Sequence, residues 1–167
     1  MPHAIVIAGP NGAGKTTFAR QALPVLYPGV PFLNVDEIQS ADSAFAHPVA
    51  AGRELLRRLD GAEGRLSSFA VETTLSSIMY AKRMKLWRTR TYRIRLHFIE
   101  LPSEDYAVHR VALRVAAGGH GVPEVDVRRR FHRGLALFHQ VFKPLVDEWY
   151  HWHSDDGGLR LGQHYRK

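Results

Sequence analysis

The feature that most constrains this sequence is a segment near its start, Gly9-Pro10-Asn11-Gly12-Ala13-Gly14-Lys15-Thr16, which matches G-x-x-x-x-G-K-[ST] at every position. A short apolar run from Ala4 to Ala8 precedes it and is typical of a strand buried on both faces. A helix is predicted to follow from about Lys15 and to stop before Pro24. Glycines let successive backbone N–H groups curl around a phosphate, and the helix N-terminus adds positive charge. In this context the motif predicts a nucleoside triphosphate site.

The individual positions of this loop indicate how the nucleotide is held. In such a pattern the side chain of Lys15 bridges the β- and γ-phosphates, and the Thr16 hydroxyl ligates Mg²⁺. We therefore expect ATP and Mg²⁺ as cofactors, with the loop from Gly9 to Thr17 around the phosphates. The other interpretation is a glycine-rich turn with an incidental lysine, but the complete motif between a buried strand and a helix favours nucleotide binding.

Strand-like and helix-like segments alternate along the rest of the chain. Further strands are predicted at Phe32–Val35, Ser68–Val71 and Ile94–Leu101, and helices over Pro48–Gly61, Ser76–Arg90, Glu104–Ala117 and Glu124–Trp149. A last strand and a turn at Gly157-Gly158 are expected between His151 and Leu161. This alternation predicts an α/β fold in which helices cover both faces of a mostly parallel sheet. Without a repeat or a linker, residues 1–167 are expected to form a single domain.

Composition excludes several classes of protein. The 167 residues contain no cysteine, which removes zinc ribbons, iron–sulfur ligation and thiol catalysis and fits a reducing compartment. No apolar run approaches the ~18–20 residues of a membrane span, so we expect a soluble, cytoplasmic protein with no membrane partner. The net charge is +7, and all but five of the 23 basic residues are arginine, which binds phosphate in a bidentate way.

Two carboxylates follow predicted strands, where an open parallel sheet forms its ligand crevice. Asp36, after the second strand, could accept a proton from a substrate hydroxyl or could instead cap the next helix, and spacing alone does not separate the two. Glu72, after the third strand, could order a Mg²⁺-bound water or hold a substrate hydroxyl, or could pair with a neighbouring arginine.

An arginine-rich segment predicts a lid over residues 110–133. Arg110 and Arg114 lie four residues apart on one helix face and lead into Gly118-Gly119-His120-Gly121. Arg128-Arg129-Arg130 follows in the next helix. Glycines around a basic loop suit a lid that closes over phosphates, with Arg114 the favoured lid residue. His120 is predicted either to touch phosphate or to cap the turn.

Two further segments favour structural roles. The basic stretch Lys82–Arg90 contains Trp87 and could contact nucleic acid, but it is better explained as an amphipathic helix with Ile78, Met84 and Trp87 as apolar contacts. Nucleic acid is therefore not an expected partner. The aromatic and histidine residues towards the C-terminus show no recognised metal-ligand spacing, and Trp149 is predicted to lie in the core; they are His139, Trp149, His151, Trp152 and His153.

With these residues in view, the sequence resembles the zeta-toxin family of P-loop kinases over nearly its whole length. The resemblance is carried by Gly9–Thr17, Asn34-Val35-Asp36, Phe69–Leu75, Arg110-Val111 with Arg114-Val115, Gly118-Gly119-His120 with Val122-Pro123, and Arg129-Arg130-Phe131. It implies a P-loop NTPase three-layer sandwich with a helical lid. It also implies transfer of the ATP γ-phosphate to a small-molecule hydroxyl, with UDP-N-acetylglucosamine as the leading acceptor, and an antitoxin as partner.

Carried over by motif, the resemblance implies a role for each site residue. Asp36 would be the base that activates the acceptor hydroxyl, Lys15 and Thr16 would hold ATP and Mg²⁺, and Arg114 or Arg110 would stabilise the transferring phosphate. The acceptor pocket would contain Glu72, Thr73, His120 and Arg130. Two alternatives stay open: an ATPase or nucleotide-gated binding module without an acceptor, and a polynucleotide kinase.

Overall fold

The computed structural model describes residues 1–45 and 47–167 and contains one six-stranded sheet. The strands are β1 His3–Ala8, β2 Phe32–Leu33, β3 Phe69–Thr73, β4 Arg93–Glu100, β5 Glu148–Asp155 and β6 Gly158–Arg166. Their order is β2-β3-β1-β4-β5-β6; neighbours among the first five pair in parallel, and β6 pairs antiparallel with β5. The predicted mostly parallel sheet is confirmed.

In the described residues, six α-helices connect these strands. They are α1 Lys15–Leu26, α2 Val35–Ala41, α3 Pro48–Gly64, α4 Met79–Thr89, α5 Glu104–Ala116 and α6 Glu124–Leu137. Shorter turns of helix occupy Ser43–Phe45, Phe138–Phe142 and Lys143–Leu145. No helix in the described part of the chain is both long enough and apolar enough to cross a membrane.

The side-chain alternation of β1 shows how the layers are built. Val6 points to one face of the sheet and packs with apolar residues of α3, α4 and the turn at Phe138–Phe142. Ile5 and Ile7 point to the other face and pack with α1, α5 and α6. Because both faces are buried, β1 is apolar throughout, and the fold is the three-layer α/β sandwich that the resemblance implies.

The structure corrects two predicted helix ends. Helix α1 continues through Pro24 to Leu26, because a proline in the last turn costs only one backbone hydrogen bond and Tyr27 N–H still donates to the Leu23 carbonyl at 2.8 Å. Helix α6 ends at Leu137 rather than Trp149. The chain then passes through two irregular turns, the second containing Pro144, and enters β5 beside β4.

The structure also shows how the residues of the basic helix α4 and of the C-terminal segment are packed. Helix α4 buries Met84 and Trp87, as predicted, and Arg83 pairs with Glu63 at 2.6 Å, whereas Ile78 is exposed rather than packed. Trp149 is half-buried and packs against the core. The predicted turn near Gly157 connects two strands, β5 and β6, whereas only one strand was predicted in this segment.

A buried histidine makes the fold sensitive to acid. His97 of β4 accepts a hydrogen bond at Nδ1 from the Trp152 indole at 3.3 Å, and its Nε2 lies 3.2 Å from the Tyr27 hydroxyl. An indole N–H only donates, so Nδ1 must be unprotonated for this bond to form. Burial, assisted by the Arg95 charge, lowers the pKa of His97 to about 4.

We therefore expect the free energy of unfolding to fall as the pH drops from about 6.5 to about 4. In that range His97 takes up a proton in the unfolded chain but not in the folded chain. This difference lowers the free energy of unfolding by roughly 3 kcal/mol for His97 alone. Urea unfolding across this range measures the loss. His97→Gln should flatten the profile, the exposed control His109→Gln should not, and an unchanged slope in His97→Gln would contradict the assignment.

Candidate active site

The loop between β1 and α1 has the backbone geometry of a phosphate cradle. Gly9, Gly12 and Gly14 have φ angles of 143°, 80° and 81°, in the region that favours glycine. A Cβ at Gly9 would lie 2.2 Å from the Ile99 carbonyl oxygen, and one at Gly12 would lie 2.8 Å from the Arg110 Cβ. The glycines therefore allow the loop to pack directly against β4 and α5.

Lys15 lies across this loop and is almost completely buried. Its Nζ donates to the Pro10 carbonyl oxygen at 2.9 Å and lies 3.7 Å from the Glu72 Oε1. Burial lowers the pKa of Lys15, and the Glu72 carboxylate opposes part of that shift. A buried ammonium with one nearby carboxylate is well suited to a phosphate anion, which would offset its lost hydration.

Oxygen atoms suited to Mg²⁺ meet beside Lys15. The Thr16 hydroxyl donates to Glu72 Oε2 at 2.8 Å, and the Asn34 amide donates to the same oxygen at 2.5 Å. Hydroxyl and carboxylate oxygens are the donor type that Mg²⁺ prefers, so these residues fit the ion. The predicted alternative of a Glu72–arginine pair is wrong, since Lys15 is its ion-pair partner among the described residues.

The position of Asn34 rules out one of the two interpretations of Asp36, that of a helix cap. The N-cap of α2 is Asn34, whose side-chain oxygen accepts from the Glu37 N–H at 3.1 Å. Asp36 thus lies in the first turn of the helix rather than capping it, and its side chain is 52% exposed. It faces a cavity of about 420 Å³ at the carboxyl ends of the strands.

This cavity brings together half of the predicted site residues; of the phosphate loop, only Asn11 and Lys15 are in its lining. Its lining includes Asn11 and Lys15 from the loop, Asp36, Glu72, Thr73, Arg114, His120 and Arg130. Arg110 is not in the lining, but its side chain covers the phosphate loop, with NH2 4.0 Å from where a Gly14 Cβ would be. The cavity is also lined by residues without a predicted site role, namely Asn34, Gln39, Pro48, Thr74 and Val122. Asn34 had a recognisable signal, a helix-capping residue directly after a strand.

The arginines of the lid segment differ in their surroundings. Arg114 donates from NH2 to the His120 carbonyl at 2.6 Å and approaches Asp36 Oδ2 at 3.9 Å, while its buried Nε has no partner among the described residues. A Cβ at Gly119 would lie 2.7 Å from the Arg114 Cγ, so this glycine lets the loop close onto the arginine.

The three consecutive arginines of α6 are not equivalent. Arg128 pairs with Asp105 and Glu124, and Arg129 pairs with Asp126, so their charges are neutralised away from the cavity. Arg130 makes no ion pair within 4.0 Å in the described residues and lines the cavity. Of the three, Arg130 is the one available to an anionic ligand.

Sequence comparison identifies a relative but no family. No model of a known protein family matches the chain. An uncharacterized protein of Haemophilus influenzae is 27% identical over 134 residues, which span 77% of this chain and 91% of that protein.

Comparison with solved structures is more informative. One chain of the AvrRxo1-ORF1:AvrRxo1-ORF2 complex superposes on 99% of this chain, over 59% of its own length, with a TM-score of 0.75 and 18% identity. A structure of that complex with ATP also matches. The PezAT toxin–antitoxin system of Streptococcus pneumoniae matches 98% of this chain and 72% of its own, with a TM-score of 0.65 and 17% identity. A candidate kinase of Chloroflexus aurantiacus covers 80% of each chain with a TM-score of 0.60 and 21% identity.

The chain has the fold of a zeta-toxin-like P-loop kinase. At these identities the likeness concerns the fold, and the P-loop kinase fold places the phosphate loop, Asp36 and the lid segment around one cavity.

Proposed function

We propose that this protein is an ATP- and Mg²⁺-dependent kinase that transfers the γ-phosphate to a hydroxyl of a small molecule. The observation that carries the proposal is the position of the Asp36 carboxylate, which faces the same cavity as Lys15 and Arg114. A site for hydrolysis alone requires a positioned water, whereas a carboxylate beside an open cavity provides a base for a bound hydroxyl.

The proposed reaction assigns one task to each side chain. Asp36 accepts the proton of the acceptor hydroxyl while the oxygen of that hydroxyl bonds to the γ-phosphorus. The bond between the γ-phosphorus and the β–γ bridging oxygen breaks, and ADP leaves. Lys15 and the loop N–H groups hold the phosphates, and Arg110 and Arg114 balance the charge that moves in the transition state. Thr16 and Glu72 would hold Mg²⁺, which neutralises phosphate charge when bound.

The acceptor is proposed to be a nucleotide sugar, with UDP-N-acetylglucosamine as the leading candidate. The support is the resemblance to zeta toxins together with Arg130, an arginine without an ion-pair partner among the described residues that lines the same cavity as Thr73 and His120. Arginine binds diphosphate groups through parallel hydrogen bonds. A toxin role with an antitoxin partner is part of the proposal, since one structural neighbour belongs to a toxin–antitoxin system.

A transfer assay tests the proposal. Purified protein is incubated with γ-labelled ATP and Mg²⁺ in the presence of UDP-N-acetylglucosamine, other nucleotide sugars, RNA or water alone. We expect label on a nucleotide sugar and faster ATP turnover when that acceptor is present. Label found only as free phosphate under every condition would make the protein an ATPase, and label in RNA would make it a polynucleotide kinase.

Arg114 is predicted to act mainly on the transition state. Arg114→Ala should lower kcat by ~10²–10³-fold while the Kd for ATP changes less than about tenfold, because the guanidinium is placed where charge moves during transfer. Steady-state kinetics and ATP titration measure the two quantities. Arg129→Ala is the matched control, since Arg129 is exposed and pairs with Asp126. Equal losses in kcat and ATP affinity would make Arg114 a ground-state contact.

A further inference from the structure

A second cluster of ligand-type side chains lies outside the candidate active site. Glu100, the last residue of β4, is in register with His153 of β5, and His151 lies two residues earlier on the same strand. Side chains two apart on a strand point to the same face, and directly paired residues share a face. The register therefore places one carboxylate and two imidazoles together at the carboxyl ends of two parallel strands.

The distances within this cluster are short. His151 Nε2 lies 2.6 Å from Glu100 Oε2, and His153 Nδ1 lies 3.9 Å from the same oxygen. One ligand atom from each residue can be chosen so that all three lie within 4.8 Å of one another. His151 is buried and Glu100 is largely buried, whereas His153 is 48% exposed.

The antiparallel partner strand is shaped around His153. The pairing of β5 with β6 shifts by one residue after His151, which leaves Gly162 as the extra residue of β6. A Cβ at Gly162 would lie 2.6 Å from both Cδ2 and Nε2 of His153. Glycine at this bulge lets the ring pack against β6, and the other ring nitrogen, Nδ1, then faces Glu100.

The surroundings leave room for one further ligand. Asp155 follows on the same face of β5, but it pairs with Arg160 and is not available. A cavity of about 240 Å³ opens beside His153, lined by Leu101, Pro102 and Ser154 among others, and it shares no lining residue with the active-site cavity. A position for water or another small ligand therefore exists next to the cluster.

We propose that Glu100, His151 and His153 form a Zn²⁺ site with three protein ligands and one open position. Two neutral imidazoles and a carboxylate are a common ligand set for zinc with a fourth position open. Zinc ligands at 2.0–2.2 Å lie about 3.4 Å apart in a tetrahedron, so the widest separation in the cluster must close by up to about 1.4 Å and the 2.6 Å contact of Glu100 with His151 must open by about 0.8 Å. The exposed side chain of His153 can close the first gap, and a small rotation of the Glu100 carboxylate at the end of β4 can open the second, while the buried His151 stays in place. The site is independent of the proposed kinase reaction.

Calorimetric titration of the metal-stripped full-length protein with Zn²⁺ tests the site. We expect one equivalent bound with a dissociation constant in the micromolar range or below, and a rise in Tm when Zn²⁺ is added. Bound Co²⁺ should show the visible absorption of a four- or five-coordinate ion. His153→Ala and Glu100→Gln should each weaken Zn²⁺ binding at least ~10-fold.

The variants are chosen so that the fold is retained. His153 is half exposed, and a glutamine at position 100 can still accept the hydrogen bond from His151. His109→Ala, an exposed histidine on α5, controls for adventitious histidine binding, and Thr16→Ala controls for Zn²⁺ at the phosphate loop; neither should change the affinity. Absence of binding below ~100 µM, or binding that His153→Ala and Glu100→Gln leave unchanged, would overturn the proposal.

Discussion

Asp36→Asn should retain ATP binding and lose phosphate transfer by ~10²–10⁴-fold, which corresponds to about 3–5 kcal/mol of activation free energy. The substitution keeps the shape of the side chain but removes the group that accepts the hydroxyl proton. Asp36 is half exposed in the first turn of α2 and does not cap the helix, so the fold should be unaffected. Label transfer from γ-labelled ATP and an independent ATP titration measure the two effects separately.

Glu37→Gln provides the matched control for this prediction. Glu37 is the next residue of the same helix turn, but its carboxylate pairs with Arg20 at 3.0 Å, away from the cavity. Transfer in Glu37→Gln should stay close to that of the unmodified protein. If Asp36→Asn instead lost ATP affinity in proportion to transfer, Asp36 would belong to the metal shell and the proposed base would have to be another residue.

Lys15→Met should reduce phosphate transfer by ~10²–10³-fold or more and abolish the ATP-induced rise in Tm. The ammonium is the buried positive charge of the phosphate loop, and its loss removes an interaction with the phosphates that strengthens as charge develops. Methionine fills the space of the lysine side chain without a charge. Since burial already lowers the pKa of Lys15, removing this charge should not unfold the protein.

Thermal unfolding with and without ATP and Mg²⁺, together with the transfer assay, measures these effects. Lys82→Met serves as the control, because Lys82 is an exposed lysine on α4. A Lys15→Met protein that is folded and transfers phosphate at the original rate would remove the phosphate loop from the mechanism. A protein that no longer unfolds cooperatively would show that the loop lysine is needed for the fold itself.

Local sequence was sufficient to predict the backbone structure of segments whose conformation depends mainly on their own residues. The glycine-rich turn between β1 and α1 was predicted from sequence, because its glycines adopt positive φ angles and its neighbours are a buried strand and a helix. Helix α5 was also predicted to within one residue, and in the structure Ser103 caps it by accepting a hydrogen bond from the Tyr106 N–H. The C-terminal half of the predicted last helix was wrong, because after Leu137 the chain forms two irregular turns, the second containing Pro144. The last two residues of the predicted helix, Glu148 and Trp149, belong to β5, where they pair with β4.

The sequence by itself determined the class of fold, the phosphate loop and the alternating order of strands and helices, since these follow from glycine conformation and hydrophobic periodicity. Tertiary structure decided which arginine is free and which histidines meet a carboxylate. Arg128 pairs with Asp105 while Arg130 faces the cavity, and Glu100 meets His153 across paired strands. Both outcomes depend on contacts between segments far apart in the chain, which local patterns do not specify.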